Sequence, residues 1–296
     1  MTGPLHPDQI PTSRELVRAL LAAQFPQWAD MPIRPVASAG TDHAIYRLGE
    51  DLCARLPLRA SAAEQAGKEQ AWLPSLAPRL PVPIPQPVAI GTPGDDYPWP
   101  WSVCAWIEGG NPVDGDSLTL AEDLAAFLGA MRKVDPKGGP APGRHNFGRG
   151  VPLAKRDAPT RDAISRCEGL VDTRGASRAW SDALAAPSWE GPPAWVHGDL
   201  CPGNLLVRDG RLAAVIDFGG LAVGDPACDL MVGWNLMSPD ARQHFRLRLR
   251  ADPASWARGR GWALSVALIQ LPYYRETNPS LAANARETIA AVLADV

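Results

Sequence analysis

Apolar positions first recur at helical spacing at Leu16, Val17, Leu20 and Leu21, behind a capping-box pattern of Thr12 and Glu15, and predict a helix reaching about Phe25. From Ile33 the pattern changes. The stretch PVASAGTDHAIYRLGEDLCARLP consists of short β-prone runs broken at Gly40 and at Gly49-Glu50, which predicts a small antiparallel sheet. Residues 61–76, rich in Ala, Glu and Gln, predict a helix despite Gly67. The Pro-dense PRLPVPIPQPVAIG has to run extended, WSVCAWI (101–107) is strand-like, and GGNPVDGDS (109–117) is a flexible polar break. Beyond it Thr119 and Glu122 space a second capping box, which opens a helix through about Lys133. Residues 135–152 form a long Pro- and Gly-rich loop, and helical patterns return near 160–171, 175–186, 241–249, 262–271 and 281–293. The expected architecture is α+β in two lobes: residues 1–108 with a small antiparallel sheet, and residues 109–296, mainly helical.

One stretch interrupts the helices of the second lobe with strands: VHGDLCPGNLLVRDGRLAAVIDFGG, 196–220. Asp209-Gly210 between two apolar runs is a two-residue hairpin signal, so register can be counted outward from it. Arg208 then faces Arg211, Val207 faces Leu212, and Asn204 faces Val215, with Asp217 on the diagonal and on the same side. An amide oxygen and a carboxylate on one side suit a hard divalent cation such as Mg2+, which takes few protein ligands and leaves the rest of its shell to water and phosphate. Asp199, on the loop entering the hairpin, is the natural acceptor for a substrate hydroxyl proton. Taken singly, Asn and Asp beside turns usually bond local backbone, and only the joint pattern argues for chemistry.

The sequence HGDLCPGN, followed by IDFG and then GDPACDL, resembles the aminoglycoside phosphotransferase family, small-molecule relatives of the protein kinases, over most of the chain. The resemblance implies a bilobal kinase-like fold and transfer of the γ-phosphoryl group of ATP or GTP to a small-molecule hydroxyl. It also implies that Asp199 is the catalytic base and that Asn204 and Asp217 hold Mg2+. His197 reads as a strut of the loop, and Asp225 before Pro226 as a helix N-cap with Pro at N1. Asp229 either bonds back to the catalytic loop, as the family pattern implies, or favours the positive end of a helix.

Kinase-like enzymes hold nucleotide phosphates with a strand Lys paired to a helix Glu. Only four lysines occur here, Lys68, Lys133, Lys137 and Lys155, and none is on a predicted strand. CARLPLR instead offers Arg55, whose planar fork suits phosphate oxygens, with Glu69 on the next helix to orient it. The alternative is that Arg55 is solvated and Lys68-Glu69 an exposed helix pair. The turn SAGTDHAIYRLG lacks a glycine-rich signature, and Ser38, Gly40 and Thr41 stand as candidate backbone contacts to phosphate. The family implies that adenine bonds backbone in the strand joining the lobes, around Cys104 to Trp106.

Composition narrows the partners. A net charge of −3 offers no basic face for nucleic acid, and 46% hydrophobic with 21% charged residues is an ordinary globular balance. Five dispersed cysteines without a C-x-x-C pair fit a reducing cytoplasm, and WALSVALIQLPYY is too short to span a bilayer. The acceptor must meet Asp199 among the carboxy-terminal helices, where Tyr273, Tyr274, Glu276 and Asn278 are candidate contacts. The acids Asp162, Glu168, Asp172 and Glu276 are scattered rather than gathered into a wall for a polycation, so an aminoglycoside, a macrolide, another hydroxylated antibiotic and a metabolic alcohol all remain open. Two other readings are a catalytically silent nucleotide-binding module and a metal-dependent hydrolase using His197 and Asp199, for which no further ligand motif is present.

Overall fold

The computed structural model describes residues 8–36, 42–94, 96–113 and 115–295. The first helix, α1 (Arg14–Gln24), starts from Ser13 rather than Thr12: Ser13 Oγ accepts from the Leu16 amide at 3.1 Å, while Thr12 Oγ1 takes the Tyr46 hydroxyl at 3.0 Å. Five antiparallel strands follow, β1 (Ile33–Pro35), β2 (His43–Leu48), β3 (Leu52–Pro57), β4 (Pro87–Gly91) and β5 (Trp101–Ala105), in the order β1-β2-β3-β5-β4. Strand alternation in β3 sends Ala54 and Leu56 to a core with Val17 and Leu21 of α1, Tyr97 and Trp101. Each apolar side chain fully buried there contributes about 1.5–3 kcal/mol relative to exposure. Arg55, on the opposite face, meets α2 (Ala60–Leu76).

Two residues of the GGNPVDGDS segment, Gly110 and Asn111, are tied to residues 202–207. Gly110 and Val207 exchange backbone hydrogen bonds at 3.0 and 2.7 Å, and Asn111 Nδ2 lies within 3.2, 3.1 and 2.9 Å of the carbonyls of Pro202, Gly203 and Leu205. These paired polar atoms hold the Gly110–Asn111 part of the connector against the candidate catalytic loop.

Helix α3 (Leu118–Met131) is capped by Ser117, one of two hydroxyls competing for the role with Thr119, through a 3.1 Å bond to the Leu120 amide. The remaining helices are α4 (Asp157–Arg166), α5 (Thr173–Ala185), α6 (Val232–Asn235), α7 (Pro239–Leu249), α8 (Pro253–Tyr274) and α9 (Pro279–Ala294). The 262–271 pattern marks only the second half of α8, because Gly259 and Gly261 hide its first half. A Cβ on Gly259 would lie 2.5 Å from Leu230 Cβ, and one on Gly261 would lie 2.7 Å from Ala183 Cβ, so close packing excludes larger residues. Two small strand pairs complete the fold: β6 (Ala194–Val196) with β9 (Ala222–Gly224), and β7 (Leu205–Arg208) with β8 (Arg211–Val215). The five cysteines are free, and no helix among the described residues is long and apolar enough to cross a membrane.

Candidate active site

The β7/β8 hairpin closes through Asp209 (φ 53°) and Gly210 (φ 73°), the left-handed pair a two-residue turn demands. Arg208 faces Arg211 and Val207 faces Leu212 as counted, but a bulge between Leu206 and Val207 shifts the outer rungs by one. Leu205, not Asn204, therefore faces Val215, and the Asn204 carbonyl accepts from the Ile216 amide at 2.9 Å. The expected diagonal between Asn204 and Asp217 is thus corrected: Asp217 is aimed by its own left-handed backbone (φ 60°, ψ 75°) instead of by strand alternation. A non-glycine residue held there costs about 1–3 kcal/mol, a strain typical of sites where side-chain aim matters. Its carboxylate accepts from the Gly219 amide at 3.3 Å.

Asn204 Nδ2 donates to the Asp199 carbonyl at 2.8 Å and to its carboxylate at 3.3 Å, leaving the amide oxygen directed elsewhere. Enclosure by its neighbours pushes Asp199 above the ordinary carboxylate range, Asp217 adds repulsion, and Arg149 opposes both. Its side chain still keeps 41% of its surface open to an incoming group. Asp199, Asn204 and Asp217 accordingly share one neighbourhood. An amide oxygen and carboxylates are hard donors that fit a divalent cation completing its shell with phosphate and water, although no cluster of three His, Cys, Asp or Glu ligands exists among the described residues.

The loop is braced from behind. Buried Asp229 accepts from the amides of His197 at 2.8 Å and Gly198 at 2.7 Å, so it does bond back to this loop; burial pushes its carboxyl up, against the pull of His197 and those amides. His197 is fully buried, its Nε2 bonds the Ile216 carbonyl at 3.0 Å, and its Nδ1 accepts from the Asp199 amide at 3.2 Å, which fixes the Nε2–H tautomer and makes the ring a strut. Gly198, at φ 83°, brings its backbone so near Gly220 that an added Cβ would lie 2.5 Å from the Gly220 carbonyl. Asp225 caps the short 3-10 turn at Pro226 through the Ala227 amide at 2.9 Å and pairs with Arg258 of α8.

Arg55 Nη1 meets Glu69 Oε2 at 2.9 Å, with both side chains largely buried. Burial works against the Arg55 charge, but Glu69, Cys104 and Asp217 together more than offset it and hold the guanidinium above its ordinary range. Among the described residues, Glu69 Oε1 and His43 Nε2 lie buried without hydrogen-bond partners in the small cavity that Arg55, Ser102 and Cys104 also line. Burial, with Arg55 assisting, pushes His43 down to about 3, so its ring is neutral.

Lys68 is not half of an exposed pair. Its Nζ donates to the Gly219 carbonyl at 2.6 Å and sits 3.1 Å from His145 Nδ1, so adjacent α2 residues reach two different parts of the site. Burial lowers Lys68 to about 8, with Glu69 and Asp217 pulling the other way.

Ser38, Gly40 and Thr41 lie outside the described residues. At the strand joining sheet to helices, Cys104 is buried opposite Cys53, and the Trp106 amide is committed to the Asp51 carbonyl at 2.7 Å and so is not free for a base. The carboxy-terminal candidates lie around the α8–α9 junction. Asn278 caps α9 through the Leu281 amide, and Glu276 lies between α8 and α9. Tyr273 and Tyr274 stack edge-on at 4.8 Å at the end of α8, where Tyr273 lies about 16 Å along the axis from Trp262. Sequence reasoning missed Arg149, whose Nη2 is 3.7 Å from Asp199 Oδ1. Its signal was Gly148-Arg149-Gly150, with both glycines at positive φ.

The phosphotransferase enzyme family, APH, matches the chain over residues 33–262. No curated protein matches it. Among solved structures, the GDP and kanamycin complex of APH(2")-IIia is 19% identical with a TM-score of 0.74, covering 94% of this chain and 98% of that one. Macrolide 2'-phosphotransferase MphH from Brachybacterium faecium is 22% identical with a TM-score of 0.63, covering 96% and 98%. The streptomycin-ATP-APH(2")-IIa ternary complex is 19% identical with a TM-score of 0.60, covering 88% and 90%. These likenesses are in fold, a bilobal kinase-like α+β architecture.

Proposed function

Because the chain belongs to the phosphotransferase enzyme family, we propose that it moves the γ-phosphoryl group of ATP or GTP to a hydroxyl of a small molecule. The nucleotide is held chiefly by residues 1–108 and the acceptor by residues 109–296. Asp199 orients the hydroxyl and takes its proton, and Arg55, oriented by Glu69, steadies the phosphates. Asn204 and Asp217 would hold Mg2+, which neutralises developing charge when bound. Asp225, Asp229 and His197 keep the loop in shape. The observation that carries this reading is the bond from Asn204 Nδ2 to the Asp199 carboxylate, with Asp217 close enough to perturb that carboxylate.

The similar structures hold GDP or ATP and an aminoglycoside, or are macrolide phosphotransferases, which supports a nucleotide co-substrate and a hydroxylated acceptor. An antibiotic of either kind is a candidate acceptor. In the test, Asp199→Asn should abolish turnover across a panel of hydroxylated compounds while nucleotide affinity changes less than about threefold. Full activity in that variant would remove the base assignment, and nucleotide binding without consumption in the unaltered chain would favour a silent binding module.

A further inference from the structure

Arg149 is nine-tenths buried, and its guanidinium makes no hydrogen bond within 3.5 Å among the described residues. That is costly for a group with five donors. Nη2 points toward Asp199 at 3.7 Å, too long for a hydrogen bond, and Nη1 is buried without a partner. The guanidinium stands 6.0 Å from the Trp262 ring, and Arg156 stands 5.3 Å from the same ring. Arg156 Nε and the Trp262 indole N–H are likewise buried without acceptors. Burial and the charge of Arg149 bring Arg156 down to about 10. Arg156 spends its other donors on the Phe147 carbonyl at 3.1 Å and Ser265 Oγ at 3.4 Å, whereas Arg149 has, among the described residues, only the Asp199 carboxylate within 4 Å and no hydrogen bond to it, so the Arg149 charge is incompletely balanced at the place where phosphoryl transfer is proposed.

The placement of Arg149 is built, not incidental. Asn146, fully buried, donates to the Arg149 carbonyl at 2.8 Å and to the Gly220 carbonyl at 3.2 Å, and the Gly150 carbonyl accepts from the Asp225 amide at 2.8 Å. A Cβ on Gly198 would lie 3.0 Å from Arg149 Cβ, so the arginine rests directly on the loop that carries Asp199.

We infer that Arg149 is a further catalytic residue, whose guanidinium donates to the oxygens of the phosphoryl group during transfer. The inference rests on the phosphotransferase reading above. As the acceptor oxygen forms its bond to phosphorus, its proton passes to Asp199. The bond from phosphorus to the bridging oxygen breaks with its electron pair left on the nucleoside diphosphate. The phosphoryl oxygens between these two events carry the negative charge that the Arg149 donors lack, and a planar guanidinium can bond two of them at once.

The test uses the full chain, with ADP or GDP, Mg2+ and aluminium fluoride as a probe of the transferring group, and affinity read by calorimetry. Fluoride should tighten diphosphate binding by about 100-fold or more in the unaltered chain. Arg149→Met should erase that gain with diphosphate affinity and melting temperature nearly unchanged, and Arg149→Lys should keep part of it. A gain left intact in Arg149→Met overturns the inference, even if the acceptor KM rises, since the arginine then serves the acceptor alone. Parallel loss of diphosphate affinity and melting temperature, without rescue by Lys, also overturns it and makes the role structural. An unaltered chain that binds no diphosphate would instead remove the phosphotransferase reading itself.

Discussion

Two buried arginine–carboxylate pairs behave differently in this molecule. Arg258 meets Asp225 through Nε at 2.8 Å and Nη2 at 3.3 Å, and its other donors reach the Pro187 carbonyl at 2.6 Å and Ser255 Oγ at 3.2 Å. Asp225 also caps the Ala227 amide, and both side chains are 3% exposed. Arg55 meets Glu69 through one 2.9 Å bond, while Glu69 Oε1 and the neighbouring His43 Nε2 have no partner among the described residues. A buried pair whose atoms are all satisfied is a brace; one left incomplete beside a cavity is what the proposed phosphate contact would leave in the nucleotide-free chain.

The sharpest break of this comparison is Asp225→Ala, which strands the Arg258 charge. It should lose about 3–5 kcal/mol of stability by chemical denaturation, and nucleotide should not recover that loss. Glu69→Gln should lower turnover by about 100-fold through misplacement of Arg55, and its drop in melting temperature should be partly reversed by Mg-nucleotide, because phosphate oxygens replace the missing charge. Equal responses of the two variants to nucleotide would collapse the distinction.

A subtler probe is Lys68, whose folded-state value of about 8 lies below its ordinary 10.5. Between those values the unfolded chain holds more protons than the native one, so the contribution of this lysine to stability rises with pH. The ammonium bonded to Gly219 is lost over the same range, so kcat/KM should fall as pH rises through about 8, and Lys68→Arg should flatten that limb. A limb unchanged in Lys68→Arg would assign it to another group. Smallest is Glu50→Gln at the surface pair with Arg34: stability should move by no more than about 1 kcal/mol, and turnover should stay as it was.

Legibility in the sequence followed the range of the forces involved. The Asp209-Gly210 turn and its first two rungs were readable because backbone conformation there is set locally. The bulge beyond them was not, since Val207 also pairs with Gly110, almost a hundred residues earlier in the chain. Helix starts at α1 and α3 were missed by one or two residues because neighbouring hydroxyls compete and tertiary contacts choose between them, as Tyr46 does at Thr12. That Asp199, Asn204 and Asp217 lie near one another was readable from the motif, but the strand diagonal expected to bring Asn204 and Asp217 together was not. Arg149 and Lys68 were not legible, because their importance comes from what a loop and a helix meet after folding.

The grip of Asn111 on three carbonyls at 202, 203 and 205 gives the junction between sheet and helices a fixed end. Any swing of the sheet must pivot upstream of that side chain, near Gly109, whose φ of 155° only a residue without a side chain adopts easily. Closure of the sheet around a nucleotide would then leave the turn of Asp199 and Asn204 undisturbed, like a door whose lock is mounted on the frame.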